Sequence, residues 1–136
     1  MTLRRVDLRS RRWLWGPVAL QMALIFAASS IPNLGSLPGG MSDKSGHSIG
    51  YAILGGFLLR AFAGGRLHGI TWTRGVVAIV LTTLYGMTDE FHQLFVPGRS
   101  ADRYDVIADC VGATIGVGLG WLAGAVRRWG ILDSSS

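Results

Sequence analysis

Residues 105–126 read DVIADCVGATIGVGLGWLAGAV. As a helix rising 1.5 Å per residue, this stretch is about 33 Å long, enough for the ~30 Å hydrocarbon core of a bilayer. Its only charges, Asp105 and Asp109, stand four residues apart at one end. Gly112, Gly116, Gly120 and Gly124 carry the same step onward. Positions four apart share a helix face, and small residues at that spacing let helices pack closely in lipid. The stretch predicts a membrane-crossing helix whose acid-and-glycine face turns into a bundle of other helices.

Three more apolar stretches lie upstream, over 13–31, 47–63 and 75–96. All are near the roughly 17–25 residues of a span, and the second is the shortest. Turn-forming residues separate them: Pro32, Pro38, Gly39 and Gly40, then Gly64, Gly65 and Gly69, then Pro97 and Gly98. Lipid leaves free backbone groups unsatisfied, so the spans should be helical. The alternating pattern of a transmembrane β-barrel is absent. The expected fold is all-α, a four-helix transmembrane bundle over residues 13–127. An arginine-rich arm over 1–12 precedes it and a short tail over 128–136 follows.

Composition agrees. The chain is 49% hydrophobic and 15% charged, where a soluble domain carries about 25% charge. This argues against disorder and against an ordinary soluble enzyme, and a single cysteine excludes an internal disulfide framework. The net charge of +5 raises nucleic-acid binding, but the basic residues sit in short clusters between apolar runs. No nucleic-acid partner is expected.

Those clusters set an orientation. Arg4, Arg5, Arg9, Arg11, Arg12, Arg60, Arg66, Arg74, Arg127 and Arg128 fall on one side of the predicted bundle. Lys44, Arg99 and Arg103 fall on the other, with Asp43, Asp89, Glu90, Asp102, Asp105 and Asp109. The side richer in lysine and arginine is cytoplasmic, so both termini are expected inside and the acids outside. Trp13, Trp15, Trp72, Trp121 and Trp129 lie near span ends, as interface anchors do. The first span has a rival reading as a signal peptide, with Ala27, Ala28, Ser29 and Ser30 as a cleavage region.

The outward ends collect the polar chemistry. Asp43, His47, Tyr51 and Gly55 share one face of the second span. Asp89, Glu90, His92 and Gln93 crowd the end of the third, and Asp102, Asp105 and Asp109 open the fourth. Charges at membrane depth cost roughly 2.5–3.5 kcal/mol each on insertion scales, so they persist where paired, wet or functional. One reading is a structural network that holds short helices together. The other is a polar pocket. In a pocket, Glu90 is the candidate acid or base, with Asp89 and His47 tuning it. Asp43, Lys44, Tyr51, Gln93, Arg99, Asp102, Asp105 and Asp109 would bind substrate, with Asp105 orienting Arg99 or Lys44. A metal could draw on His47, His92, Asp89, Glu90 and Asp102. That signal is weak, with no HExxH and no partner spacing for Cys110, so no metal and no cofactor is expected. Gln21 reads as a bond across a helix pair, Cys110 as packing, and His68 as a solvated loop residue.

The run Asp43-Lys44-Ser45-Gly46-His47, followed by Tyr51 and Gly55, resembles the D-K-x-x-H-x-x-x-Y motif of VanZ-like membrane proteins. Asp89-Glu90-Phe91-His92-Gln93, followed by Pro97-Gly98-Arg99, resembles their D-E-x-x-Q and P-G-R signature. Asp105, Asp109, Gly112 and Gly116 resemble its continuation, with Asp109 where many members carry Asn. The resemblance covers about 43–120. It implies a small multi-pass protein of the bacterial inner membrane, linked through the family's namesake to reduced susceptibility to teicoplanin. Membrane lipids are the expected partners, together with a lipid-linked cell-wall precursor or a glycopeptide. Homo-oligomers are allowed. Three functions stay open: a pocket that binds or modifies such an amphiphile, a non-catalytic accessory protein, and a small oligomeric transporter.

Overall fold

The structure, a computed structural model, describes residues 8–32 and 43–128. Four helices run in order: α1 over Leu8–Ser29, α2 over Asp43–Phe62, α3 over Trp72–Gln93 and α4 over Arg103–Arg128. A 3-10 turn, Leu67–Gly69, links α2 to α3. No strand occurs among the described residues. The arginines and acid at 1–7, Pro38, Gly39, Gly40, Trp129 and Asp133 lie outside them, as do the side chains of Arg9, Asp43 and Arg128.

The helix ends differ from the apolar stretches by a few residues, because polar groups set them. The Thr71 hydroxyl accepts from the Arg74 N–H at 3.3 Å, so α3 begins at Trp72, ahead of Gly75. Asp102 Oδ1 accepts from the Tyr104 N–H at 2.8 Å and caps the start of α4. Between them the chain turns through Gly98 at φ 76°.

Among the described residues, only α4 is by itself long and apolar enough to cross a membrane, over Arg103–Arg127. The other helices reach 20–22 residues, but their apolar content is diluted. Arginines open α1, a polar turn opens α2, and Arg74, Asp89 and Glu90 lie in α3. The four-span expectation is thereby narrowed to an all-helical chain with one self-sufficient span.

The helices alternate in direction, which makes α2 and α4 parallel. They are also the most closely associated pair, while α3 packs on α4 and α1 leans mainly on α2. The glycine face explains the α2–α4 contact. A Cβ on Gly112 would land on the Ser48 carbonyl, and one on Gly116 on the Ala52 carbonyl. The backbones meet where no side chain intervenes, as expected for small residues at fourfold spacing. Gly124 faces Leu67 and Ile70 in the same way.

At the arginine-rich end a helix defect is repaired by tertiary contact. Pro17 sits inside α1 and has no N–H to offer the Trp13 carbonyl. Arg60 Nη1 donates to that carbonyl at 3.1 Å, and its guanidinium stands 5.2 Å from the Trp13 ring centre. In mid-helix, Gln21 Nε2 donates to the Gly50 carbonyl at 3.0 Å, the bond across a helix pair that its position suggested.

The radial distribution is the reverse of a soluble domain's near the acidic end. Asp105, Asp109, Ala113 and Val117 of α4 are buried. Tyr104, Ile107, Val111, Ile115, Leu119 and Leu122 of the same helix form an exposed apolar stripe. On α3, Thr82, Asp89, Glu90 and Gln93 face inward, while Val76, Val77, Val80, Leu81, Leu84 and Met87 face out.

Candidate functional site

The parallel packing of α2 and α4 brings both helix starts, the positive ends of their dipoles, to the acidic end. α3 and α1 run opposite and deliver their last turns there. Four helix termini therefore surround one polar cluster.

Lys44, at the start of α2, donates to Asp102 Oδ2 and to Asp105 Oδ1, both at 2.8 Å. Asp105 is 3% exposed, so the ammonium serves a buried carboxylate on one side and a wetter one on the other. Asp102 is fully engaged. Its Oδ2 takes Lys44, its Oδ1 caps α4, and its own N–H donates to Glu90 Oε2 at 2.8 Å. The Lys44 bond holds the Asp102 carboxyl below the usual carboxylate range.

One turn deeper, His47 Nδ1 lies 2.9 Å from Asp109 Oδ1. Asp109 has room because Gly86 of α3 lies against it, where a Cβ would collide with its carboxylate. Ser48 Oγ donates to the Ala108 carbonyl at 3.0 Å. The Tyr51 ring stacks below His47 at a centroid distance of 6.0 Å.

On the far side, Ser29 of α1 donates to Asp89 Oδ2 at 2.7 Å, and Gln93 Nε2 donates to the same oxygen at 3.4 Å. Between this group and His47 lies a cavity of about 270 Å³. Its wall is polar at Ser29, His47, Tyr51, Asp89 and Arg99, and apolar at Leu24, Ile25 and Ala28.

Most residues that the sequence nominated therefore converge, but in two groups. Lys44, His47, Glu90, Asp102, Asp105 and Asp109 form the α2–α4 side. Tyr51, Asp89, Gln93 and Arg99 form the cavity side, with His47 at the boundary. The side chain of Asp43 lies outside the described residues. Asp105 pairs with Lys44 rather than with Arg99, because the parallel α2 start places the ammonium on it. His92 does not join; its ring stacks on Phe26 at 4.3 Å. Of the suggested metal donors, Asp89 and Asp102 are taken up elsewhere, whereas His47, Glu90 and the unnominated Asp105 each bring one donor atom within 4.8 Å of the others.

Ser29 and Gly86 escaped the sequence reading. Ser29 was legible as the polar end of the α1 face that carries Gln21 and Ile25, at steps of four. Gly86 had no such signal, since its role depends on Asp109 from another helix. Tyr85 was missed too; its hydroxyl donates to the Met22 carbonyl at 2.7 Å and ties α3 to α1.

No curated protein and no solved structure matches this chain. The profile of the VanZ/LLP1 family matches residues 44–124, about three fifths of the chain. That range begins at Lys44 and holds Lys44, His47, Tyr51, Asp89, Glu90, Gln93, Arg99, Asp102, Asp105 and Asp109, whereas the α1 residues of the cavity wall lie outside it; by this match the chain belongs to the VanZ/LLP1 family.

Proposed function

We propose that the chain is a four-span protein of the bacterial inner membrane whose acidic end faces outward and holds the polar head of an envelope amphiphile. Three helices that would not cross alone can cross together, because their polar residues face one another rather than lipid. The exposed stripes of α3 and α4 supply the apolar exterior that such a bundle needs. Arg60, Arg66 and Arg74 lie at the opposite end, and the excess of arginine there supports a cytoplasmic placement for it.

The observation that carries the ligand reading is the cavity itself, mostly apolar in its lining surface, with α1 contributing Leu24, Ile25 and Ala28, and with the polar side chains of Ser29, His47, Tyr51 and Asp89 among the residues around it. A volume of about 270 Å³ equals roughly nine waters at about 30 Å³ each. That suits a lipid headgroup and the first atoms of its tails. An intact glycopeptide is too large to enter, so a membrane-borne ligand is favoured over the antibiotic. His47 lines the cavity and would supply acid–base capacity there, with Glu90 near it on the α2–α4 side, and a headgroup hydrolase or transferase is the reaction class they fit.

The test is lipid analysis of the purified chain beside Ala28→Phe, which fills the apolar wall. Wild type should carry a lipid class enriched over the bulk membrane, and the variant should lose it. Identical lipid profiles for the two, both matching the bulk membrane, would end this reading. Teicoplanin susceptibility of cells carrying Glu90→Gln at normal membrane abundance then separates a working site from a passive one.

A second reading has its own support. Lys44–Asp105, His47–Asp109 and Ser29–Asp89 each tie two helices together. If the network only staples helices, Glu90→Gln and its neighbours should lower abundance and thermal stability, with no separate loss of function.

A further inference from the structure

The geometry points to a binding site for one divalent transition-metal cation, of the Zn²⁺ or Mn²⁺ kind, on His47, Glu90 and Asp105. These residues come from α2, α3 and α4, and one donor atom of each lies within 4.8 Å of the other two. Tetrahedral donors about 2.1 Å from a common ion stand about 3.4 Å apart. The donor atoms need to draw in by about 1.4 Å at most to reach that spacing.

Two further observations point to a ligand. Glu90 is only 5% exposed. Its Oε2 accepts the Asp102 N–H, while its Oε1 is buried with no hydrogen-bond partner. A buried carboxylate oxygen left unpaired is costly, and a cation held by the triad would satisfy it. The second observation concerns His47, whose Nδ1 is 2.9 Å from Asp109 Oδ1. In the tautomer that donates from Nδ1 to this carboxylate, Nε2 is the ring atom whose lone pair a metal takes. Metal-ligating histidines are commonly oriented in this way.

Charge points the same way. Asp89, Glu90, Asp105 and Asp109 are each at most 5% exposed. Lys44 holds Asp105 by Oδ1, which leaves the carboxylate a second oxygen. One imidazole nitrogen and two carboxylate oxygens favour Zn²⁺ or Mn²⁺ over the all-oxygen preference of Ca²⁺ and Mg²⁺. Three protein donors leave a coordination position open, and His47 also lines the cavity. The assignment rests on these side chains alone and holds whether or not an amphiphile binds.

The test uses the untagged full-length chain in detergent, stripped by chelator and then dialysed against Zn²⁺ or Mn²⁺. Metal content and thermal unfolding are read together. Wild type should take up about one ion per chain and unfold at a higher temperature when loaded. Glu90→Gln and Asp105→Asn should each weaken uptake by about tenfold or more, whereas Asp102→Asn should keep it, because Asp102 reaches Glu90 through its backbone. Asp109→Asn should weaken uptake by about 10–100-fold through His47. A folded wild-type chain with no saturable uptake of either ion overturns the proposal. Uptake unchanged in every folded variant overturns it too, by placing the ion elsewhere. Should Glu90→Gln or Asp105→Asn fail to fold, the wild-type isotherm and Asp109→Asn decide.

Discussion

The His47 ring and the Asp109 carboxylate meet at 2.9 Å across the α2–α4 contact, with side-chain exposures of 8% and 0%. A pair this deep is judged by what remains when one partner goes. Asp109→Ala removes the carboxylate from the buried His47 Nδ1, a loss of about 1–3 kcal/mol. Asp109→Asn keeps an acceptor oxygen of the same shape and should cost clearly less. Denaturant unfolding in detergent measures both. An alanine variant as stable as wild type would show that the pair contributes nothing.

Gly116 and Gly118 lie two residues apart on α4 with opposite surroundings. A Cβ on Gly116 meets the Ala52 carbonyl, whereas one on Gly118 meets nothing within 4 Å. Gly116→Ala should force α2 and α4 apart at a cost of about 1–3 kcal/mol or more. Gly118→Ala should be neutral or gain about 0.5–1 kcal/mol from helix propensity. Thermal melts of the two variants test the close approach, and equal effects would sink it.

Pro17 and Arg60 should be coupled. Arg60→Met leaves the Trp13 carbonyl without its donor and should cost about 1 kcal/mol, the usual net value of one hydrogen bond. In a Pro17→Ala background the helix supplies its own N–H to that carbonyl, so the same Arg60→Met change should cost less. A double-mutant cycle reads the difference. Strict additivity would mean that Arg60 is not repairing the helix.

Lys44 bonds two carboxylates of unequal burial, with Asp105 at 5% and Asp102 at 38% side-chain exposure. Water screens the outer pair more strongly. Asp105→Asn should therefore destabilise the bundle more than Asp102→Asn, which retains a capping side chain for α4. The order of their unfolding midpoints checks this, and the reverse order would place the important contact at the rim.

The helices were legible because their signals are local. Apolar length, the fourfold step through Asp105, Asp109, Gly112 and Gly116, and the breaks at Pro32, Gly64 and Pro97 each involve neighbours in sequence. The inward face of α4 follows from the same step, and the charge split between the two ends follows from where the runs stop. Helix boundaries were less legible, since Thr71 and Asp102 set them by single side-chain bonds that apolarity does not report.

Taken alone, the chain's order of residues determined that four helices form, which face of α4 turns inward, and that the acids gather at one end. The tertiary structure decided which acid meets which base. Lys44 reaches Asp105 rather than leaving it to Arg99, His47 reaches Asp109, and Ser29 joins Asp89. Those pairings span about 60 residues. They depend on how far α2 is rotated and slid along α4, a relation set by backbone contact at Gly112 and Gly116. No local pattern encodes that relation, because it exists only once both surfaces are packed.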